Sequence, residues 1–323
     1  MEPVFTVKNL TKVFTVKVRK QGFLGTFKTL LFPKYKEVTA VNNISFKINE
    51  GELVGFIGPN GAGKSTTIKM LTGILFPTKG EISVLNHVPQ NERTKLAYKI
   101  GTIFGQRQQL LYHLPALDSF NLFSKIYELK KADYEARLNE LVKIFELEPY
   151  LNTPVRKLSL GERMRCEFVA SILHKPKILF LDEPTIGLDI IAKRKVRQLI
   201  KKLNEHEKTT IILTSHDLDD IEELCDRVIV INKGKILYDG TLEKIKKKLK
   251  YKILDIFFHE EVKQPFKIPN TQVIEQEPMR LKIKIDRTKV SLPAVLDKYF
   301  KAYKIDDIVI EDPPIEEVIE QWY

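Results

Sequence analysis

The sequence predicts an α/β fold built on a mainly parallel sheet, and three stretches carry that expectation. In the first, the apolar run Glu52-Leu53-Val54-Gly55-Phe56-Ile57 leads into the glycine-rich turn Gly58-Pro59-Asn60-Gly61-Ala62-Gly63-Lys64-Ser65-Thr66, and Thr66 to Leu71 reads as a helix ended by Gly73. Strand, tight turn and helix make one βα unit. In the second, Ile178-Leu179-Phe180-Leu181 is continuously apolar, as a strand buried on both faces requires. In the third, a helix at about 191–204, an apolar strand at 209–214, a helix at 218–225 and a strand at 227–231 follow in turn. Strands alternating with helices predict a parallel sheet covered on both sides.

The other elements are read around that frame. Residues 4–14 alternate loosely, as an edge strand and turn. Residues 38–48 set Val41, Ile44, Phe46 and Ile48 against polar neighbours, the pattern of a half-buried antiparallel strand. Strands also fit at 81–85 and 99–104, and an antiparallel β subdomain is expected beside the main sheet. The pattern then turns helical, at 119–131 and at 133–147, with Leu138, Leu141, Val142 and Phe145 on one stripe and Asp133 as N-cap. Ser159 opens a third helix that runs to His174, ahead of Lys175-Pro176. These form a helical insert of about 107–175 in a first domain, residues 1–240. Residues 241–323 read as a small C-terminal α+β accessory domain, with strands at 253–258, 281–285 and 307–311 and helices at 292–300 and 315–322.

Length and composition narrow the class. With 323 residues, 43% hydrophobic and 29% charged, the chain can bury a sizeable core. No apolar run approaches the roughly 18 residues of a membrane span, and the start Met1-Glu2-Pro3 carries no secretory signal. Cys166 and Cys225 sit in apolar segments without metal spacing and read as buried thiols of a reducing compartment. The net charge of +11 suits an acidic lipid surface or nucleic acid, or simply a lysine-rich solvated surface. An insertion at about 16–37 concentrates Lys17, Arg19, Lys20, Lys28, Lys34 and Lys36 against Glu37, and places Phe23, Phe27, Leu30 and Leu31 at helical spacing. It reads as a basic amphipathic helix for a membrane face or partner groove, or as a surface loop packed on its own domain. The lysines at 244, 246, 247, 248 and 250 read as a solvated helix face.

The chemistry starts at Gly58–Thr66, which fits G-x-x-x-x-G-K-[ST] in the strand–turn–helix context that turns the pattern into a phosphate cradle. Glycine frees backbone N–H groups to point at a polyphosphate, and the helix N-terminus adds partial positive charge. Lys64 would reach the β- and γ-phosphates, and Ser65 would hold Mg2+. The buried strand at 178–181 ends in Asp182-Glu183-Pro184. Asp182 suits Mg2+, and Glu183, one residue on, suits the general base that polarises an attacking water.

With these motifs in place the chain resembles the nucleotide-binding subunit of ABC transporters over roughly residues 1–240. The glutamine of the coupling loop falls at Gln106, the signature at Leu158-Ser159-Leu160-Gly161-Glu162, the aspartate of the following loop at Asp189, and the switch histidine at His216. The resemblance implies two subunits sandwiching two ATPs head to tail, with Ser159 and Gly161 of one closing on nucleotide held by the other. It implies that Gln106 senses Mg2+ and water, that His216 reaches the γ-phosphate, and that adenine stacks on an aromatic, Phe14 or else Tyr35. The other histidines, His113 and His174 among them, keep a structural reading. Leu160 and Glu162 stand where the family usually has Gly and Gln. Leu160 would give up backbone freedom, and Glu162 would put an acid near phosphate unless it faced Arg163 or Arg165, so hydrolysis is expected to work but slowly.

The Gly-Gln-Arg-Gln-Gln-Leu run at 105–110, the basic insertion and the acidic segment at 315–319 most resemble the multidrug/viologen-export-type subgroup. That implies a homodimer or pseudo-dimer peripheral to the cytoplasmic side of the membrane, separate integral permease subunits, and no nucleic acid. The competing reading is a soluble ATPase of this type acting on ribosomes or nucleic acid; relatives of that kind usually carry two such domains or a long coiled coil, and this chain has neither. A regulatory module without turnover would lack Lys64 or Glu183, and both are present.

Overall fold

A computed structural model of the protein describes residues 3–18, 34–104, 108–215, 217–248, 251–262 and 268–311. Contacts divide it into two units, Met1–Gly240 and Thr241–Tyr323. In the first, the apolar runs become β3 (Leu53–Ile57), β5 (Ile100–Phe104), β6 (Ile178–Asp182), β7 (Thr210–Thr214) and β8 (Arg227–Asn232), and β9 (Lys235–Thr241) completes a six-stranded sheet of order β5-β6-β7-β3-β8-β9. From β5 to β8 all neighbours are parallel. β9 folds back through a turn in which Lys233 and Gly234 both take positive φ, 47° and 76°, the geometry a two-residue hairpin needs.

A second sheet, of order β2-β1-β4, is antiparallel and joins β1 (Pro3–Val18), β2 (Lys34–Asn49) and β4 (Lys79–Val84). β1 is therefore central rather than the edge strand its loose alternation suggests. One core serves both sheets: Phe5 of β1 meets Phe180 of β6 edge-on, ring centroids 5.8 Å apart. The ends of the basic insertion are strand, not helix, since Thr15 pairs Glu37 and Val18 pairs Lys34. Once two strands are in register, each added pair extends the backbone ladder whatever its side chains. The helical spacing at 23–31 lies outside the described residues.

The helices are α1 (Lys64–Leu71), α2 (Arg93–Ala97), α3 (Ala116–Ile126), α4 (Lys131–Phe145), α5 (Leu160–Ile172), α6 (Ile190–Glu207) and α7 (Leu218–Leu224). α4 starts two residues before its expected position. Its N-cap is Lys130, with no side-chain cap, and Asp133 lies inside the first turn. There its carboxylate faces the positive end of the helix dipole without capping it.

The second unit holds α8 (Leu242–Lys248), β10 (Tyr251–Phe258), β11 (Thr271–Glu277), β12 (Arg280–Asp286), α9 (Leu292–Ala302) and β13 (Ile305–Glu311). Its antiparallel sheet has the order β11-β12-β10-β13. α9 lays Val295 and Tyr299 on a face built from Leu254, Ile256, Phe258, Leu281, Ile283 and Ile285. On α8, Leu242 and Ile245 are buried and Lys244 is exposed. The expected last helix, 315–322, and its acidic residues lie outside the described residues.

Candidate active site

Parallel strands bring their carboxyl ends to one edge of the sheet, where α/β proteins place ligands. Here that edge gathers the glycine-rich turn after β3, the acid pair at the end of β6, and Thr214 at the end of β7, with Phe104, Asp182 and Thr214 in one register row. Gln106 follows β5 and His216 follows β7 in the chain, but both lie outside the described residues.

The turn Pro59–Thr66, with Ala40 and Glu183, lines a depression of about 310 Å3. Gly63 has φ +113°, and a Cβ there would lie 2.5 Å from the Ala40 carbonyl oxygen, so only glycine lets the turn pass under β2. Lys64 is buried, and its ammonium donates to the carbonyls of Gly58 and Pro59, curling across the turn. Burial pulls the Lys64 ammonium below the usual lysine range, while the Glu183 and Asp182 carboxylates pull it back up. α1 opens at Gly63 with no side-chain cap and no acid in its first turn, and Ser65 is exposed. Orphan amides at an uncapped helix start, a cation and an exposed hydroxyl fit a polyphosphate with a hard divalent cation.

At the end of β6, Thr214 Oγ1 donates to Asp182 Oδ1 at 2.5 Å, and the Glu183 amide donates to the Thr214 carbonyl at 2.9 Å. Glu183 takes φ +56°, in the left-handed region, a conformation that costs a non-glycine residue about 1–3 kcal/mol. The turn carries the Glu183 side chain to the lining of the depression.

Ser159, Gly161 and Asp189 meet elsewhere. They line a second depression, of about 350 Å3, with Leu160, Glu162 and Ile191 among its walls, and no residue lines both depressions. Ser159 caps α5, and Asp189 caps α6, accepting from the Ala192 amide at 2.8 Å. Glu162 faces neither Arg163 nor Arg165; its carboxylate accepts from the Ser159 amide at 2.9 Å, completing a capping box. Arg165 donates instead to the Phe145 carbonyl, at 2.8 Å. Leu160 is the first residue of α5 and has no positive φ, so no backbone freedom of glycine is missed there.

Phe14 pairs Val38 in the β1–β2 ladder, with the Lys12 ammonium 5.1 Å from its ring, and does not line the depression. Tyr35 is exposed on the same hairpin. His174 is structural: it stacks on Tyr127 at 3.8 Å, and its Nε2 donates to the Ile100 carbonyl at 3.0 Å. Two buried carboxylates escape a motif-based reading. Glu167 of α5 accepts from the Gln109 amide at 3.1 Å, tying the chain after β5 to the helix that Ser159 caps. Asp220 of α7 is fully buried and accepts from the hydroxyl of Thr185, two residues beyond Glu183. Each shares its helix with at least one other acid; only its burial marks it.

Comparison with known proteins agrees with this geometry. A family profile described as ABC transporter matches residues 41–186. The ABC transporter ATP-binding protein NatA of Bacillus subtilis (strain 168) is 35% identical over 212 residues, covering 66% of this chain and 86% of that protein. The linearmycin resistance ATP-binding protein LnrL of the same organism is 36% identical over 207 residues, covering 64% of this chain and 66% of its own. Among solved structures, the dimeric post-hydrolysis state of the ATP-binding cassette MJ0796 bound to ADP and Pi superposes with a TM-score of 0.61 and 29% identity, over 74% of this chain and 98% of that one. A relative so similar over most of its length leaves one assignment: the chain belongs to the ATP-binding proteins of the ABC transporter family and is an ATPase.

Proposed function

We propose that two ATP-binding subunits, two copies of this chain or this chain and a close counterpart, close head to tail on two ATP molecules. Each ATP is held by Gly58–Thr66 of one subunit and covered by Ser159, Gly161 and Asp189 of the other. The observation that carries this reading is the separation of the two depressions, which share no lining residue within one chain. Ile190 and Ile191, 84% and 72% exposed beside the second depression, favour closure against another protein surface.

Within each site, Lys64 leaves the Gly58 and Pro59 carbonyls to pair with the β- and γ-phosphates. Ser65 and Asp182, with Gln106, would hold Mg2+, which neutralises phosphate charge when bound. Glu183 accepts a proton from the attacking water, His216 reaches the γ-phosphate, and Phe14 is the candidate to stack on adenine. Residues 1–240 form the ATP-binding domain and 241–323 an accessory domain.

The hydrolysis powers export through separate integral permease subunits, with this chain peripheral on the cytoplasmic side. Among the described residues no helix is long and apolar enough to cross a membrane. A relative named for linearmycin resistance favours outward transport, and the +11 charge suits an anionic membrane face. Glu183→Gln tests the site: it should stop turnover and accumulate an ATP-bound dimer. A variant hydrolysing at the parent rate removes Glu183 as the base. Recovery of ribosomes, rather than an integral membrane protein, on affinity capture from solubilised membranes would overturn the transport reading.

A further inference from the structure

Asp220 is fully buried, and its two oxygens are used differently. Oδ1 faces the Arg197 guanidinium of α6, accepting from Nε at 2.6 Å and Nη2 at 2.5 Å. Oδ2 takes two hydroxyls, from Thr185 and, at 3.1 Å, from Ser215. Thr185 is two residues beyond Glu183, in a turn closed by the Ile186 amide on the Glu183 carbonyl and the Leu188 amide on the Thr185 carbonyl. Ser215 immediately precedes His216 in the chain, and its Oγ also accepts from the Asp217 amide at 3.0 Å. We propose that Asp220 is a positioning residue for ATP hydrolysis, one carboxylate that registers the Glu183-bearing turn against the segment leading to His216.

A plain anchoring role would need only Oδ1. The Arg197 contact already ties α6 to α7, and Arg197 continues outward to Glu223 at 2.9 Å. Oδ2 adds nothing to that tie; both its donors come from the loops after β6 and β7. Glu183 also holds a left-handed backbone, which persists only where its surroundings over-determine it. The Thr185 hydroxyl on Oδ2 and the Glu183 amide on Thr214 fix that turn from two sides. A misplaced base lowers the rate of the chemical step and leaves ground-state binding nearly untouched. This inference rests on Glu183 acting as the base.

The test compares Thr185→Val with Thr185→Ser, and adds Asp220→Asn, in the full-length ATPase. For each, kcat per ATP-binding site, KM for ATP and the unfolding midpoint are measured, with Glu183→Gln alongside. Thr185→Val should lower kcat at least about tenfold with KM changed less than about twofold, and Thr185→Ser, which restores the hydroxyl, should recover most of it. Asp220→Asn, if folded, should behave like Thr185→Val; if it does not fold, the Thr185 pair decides. If Glu183→Gln abolishes turnover while Thr185→Val keeps the parent kcat, Asp220 is only structural and the proposal is overturned. If Glu183→Gln itself turns over at the parent rate, the underlying assignment of the base fails instead.

Discussion

Ser159 and Glu162 cap one another at the start of α5: the Glu162 amide donates to Ser159 Oγ at 3.3 Å, and the Ser159 amide donates to Glu162 Oε2 at 2.9 Å. An acid in the signature therefore has a partner on its own helix, at the end of the dipole where negative charge is favourable. Glutamine can serve the same box, so Glu162→Gln should leave ATPase within about twofold of the parent and stability within about 0.5 kcal/mol. Glu162→Ala should cost about 1 kcal/mol, read by urea unfolding. A large rate gain in Glu162→Gln would show that the carboxylate does impede phosphate.

Lys64 is a buried cation whose present partners are loop carbonyls. Burial opposes its charge, so the residue trades stability for function. Lys64→Met should abolish ATP binding in calorimetry while the nucleotide-free protein unfolds at the same or a higher temperature. A large fall in the unfolding temperature would contradict this.

His174 makes stability depend on pH. Burial draws it from an ordinary value of 6.5 to about 4, with the Ile100 carbonyl pulling the other way. As pH falls, the unfolded chain takes up this proton first, so stability is present above pH 6.5 and is lost progressively toward pH 4. At pH 5 the loss should be about 2 kcal/mol. His174→Phe, which keeps the stack on Tyr127, should flatten that part of the pH profile in urea unfolding; an unchanged slope would rule His174 out as its source.

Arg137 of α4 grips Glu207 of α6 with both terminal nitrogens, at 2.8 and 2.9 Å, and is 4% exposed. Glu140 stays at 3.1 Å as a second partner. Removing one partner strands a buried charge, so Glu207→Ala should cost about 2 kcal/mol, less than a fully buried pair because Glu140 remains. Arg137→Met combined with Glu207→Leu should recover most of that in urea unfolding. A double variant as unstable as the single would mean that packing, not charge, is lost.

What the sequence made legible follows from how local its signals are. The run at 178–181 announces a strand because every side chain is apolar, and the turn 58–66 announces itself because phosphate cradling demands glycine at fixed places. β11 was not legible: six of its seven residues are exposed, and Gln272, Glu275, Gln276 and Glu277 leave no alternation to read. The strand character of Thr15–Val18 and Lys34–Glu37 depends on each segment finding the other across the insertion, which no single window contains. Glu167 and Asp220 look like any other acids of their helices, and their meaning comes from partners 58 and 35 residues away. Ser159 was legible as a helix start, and the family resemblance already set it apart from Lys64 of its own chain; that Asp189 caps α6 beside it was not legible.

That separation is the central claim, and complementation between two inactive chains tests it most directly. Lys64→Ala disables the phosphate turn, and Ser159→Arg obstructs the surface that should cover a partner's ATP. Each variant alone should hydrolyse no ATP. Mixed in equal amounts, the heterodimer keeps one site with Lys64 from one chain and Ser159 from the other, and turnover should return. If heterodimers form, as shown by co-purification of differently tagged chains, and hydrolysis stays absent, ATP is not hydrolysed at a site shared between two chains.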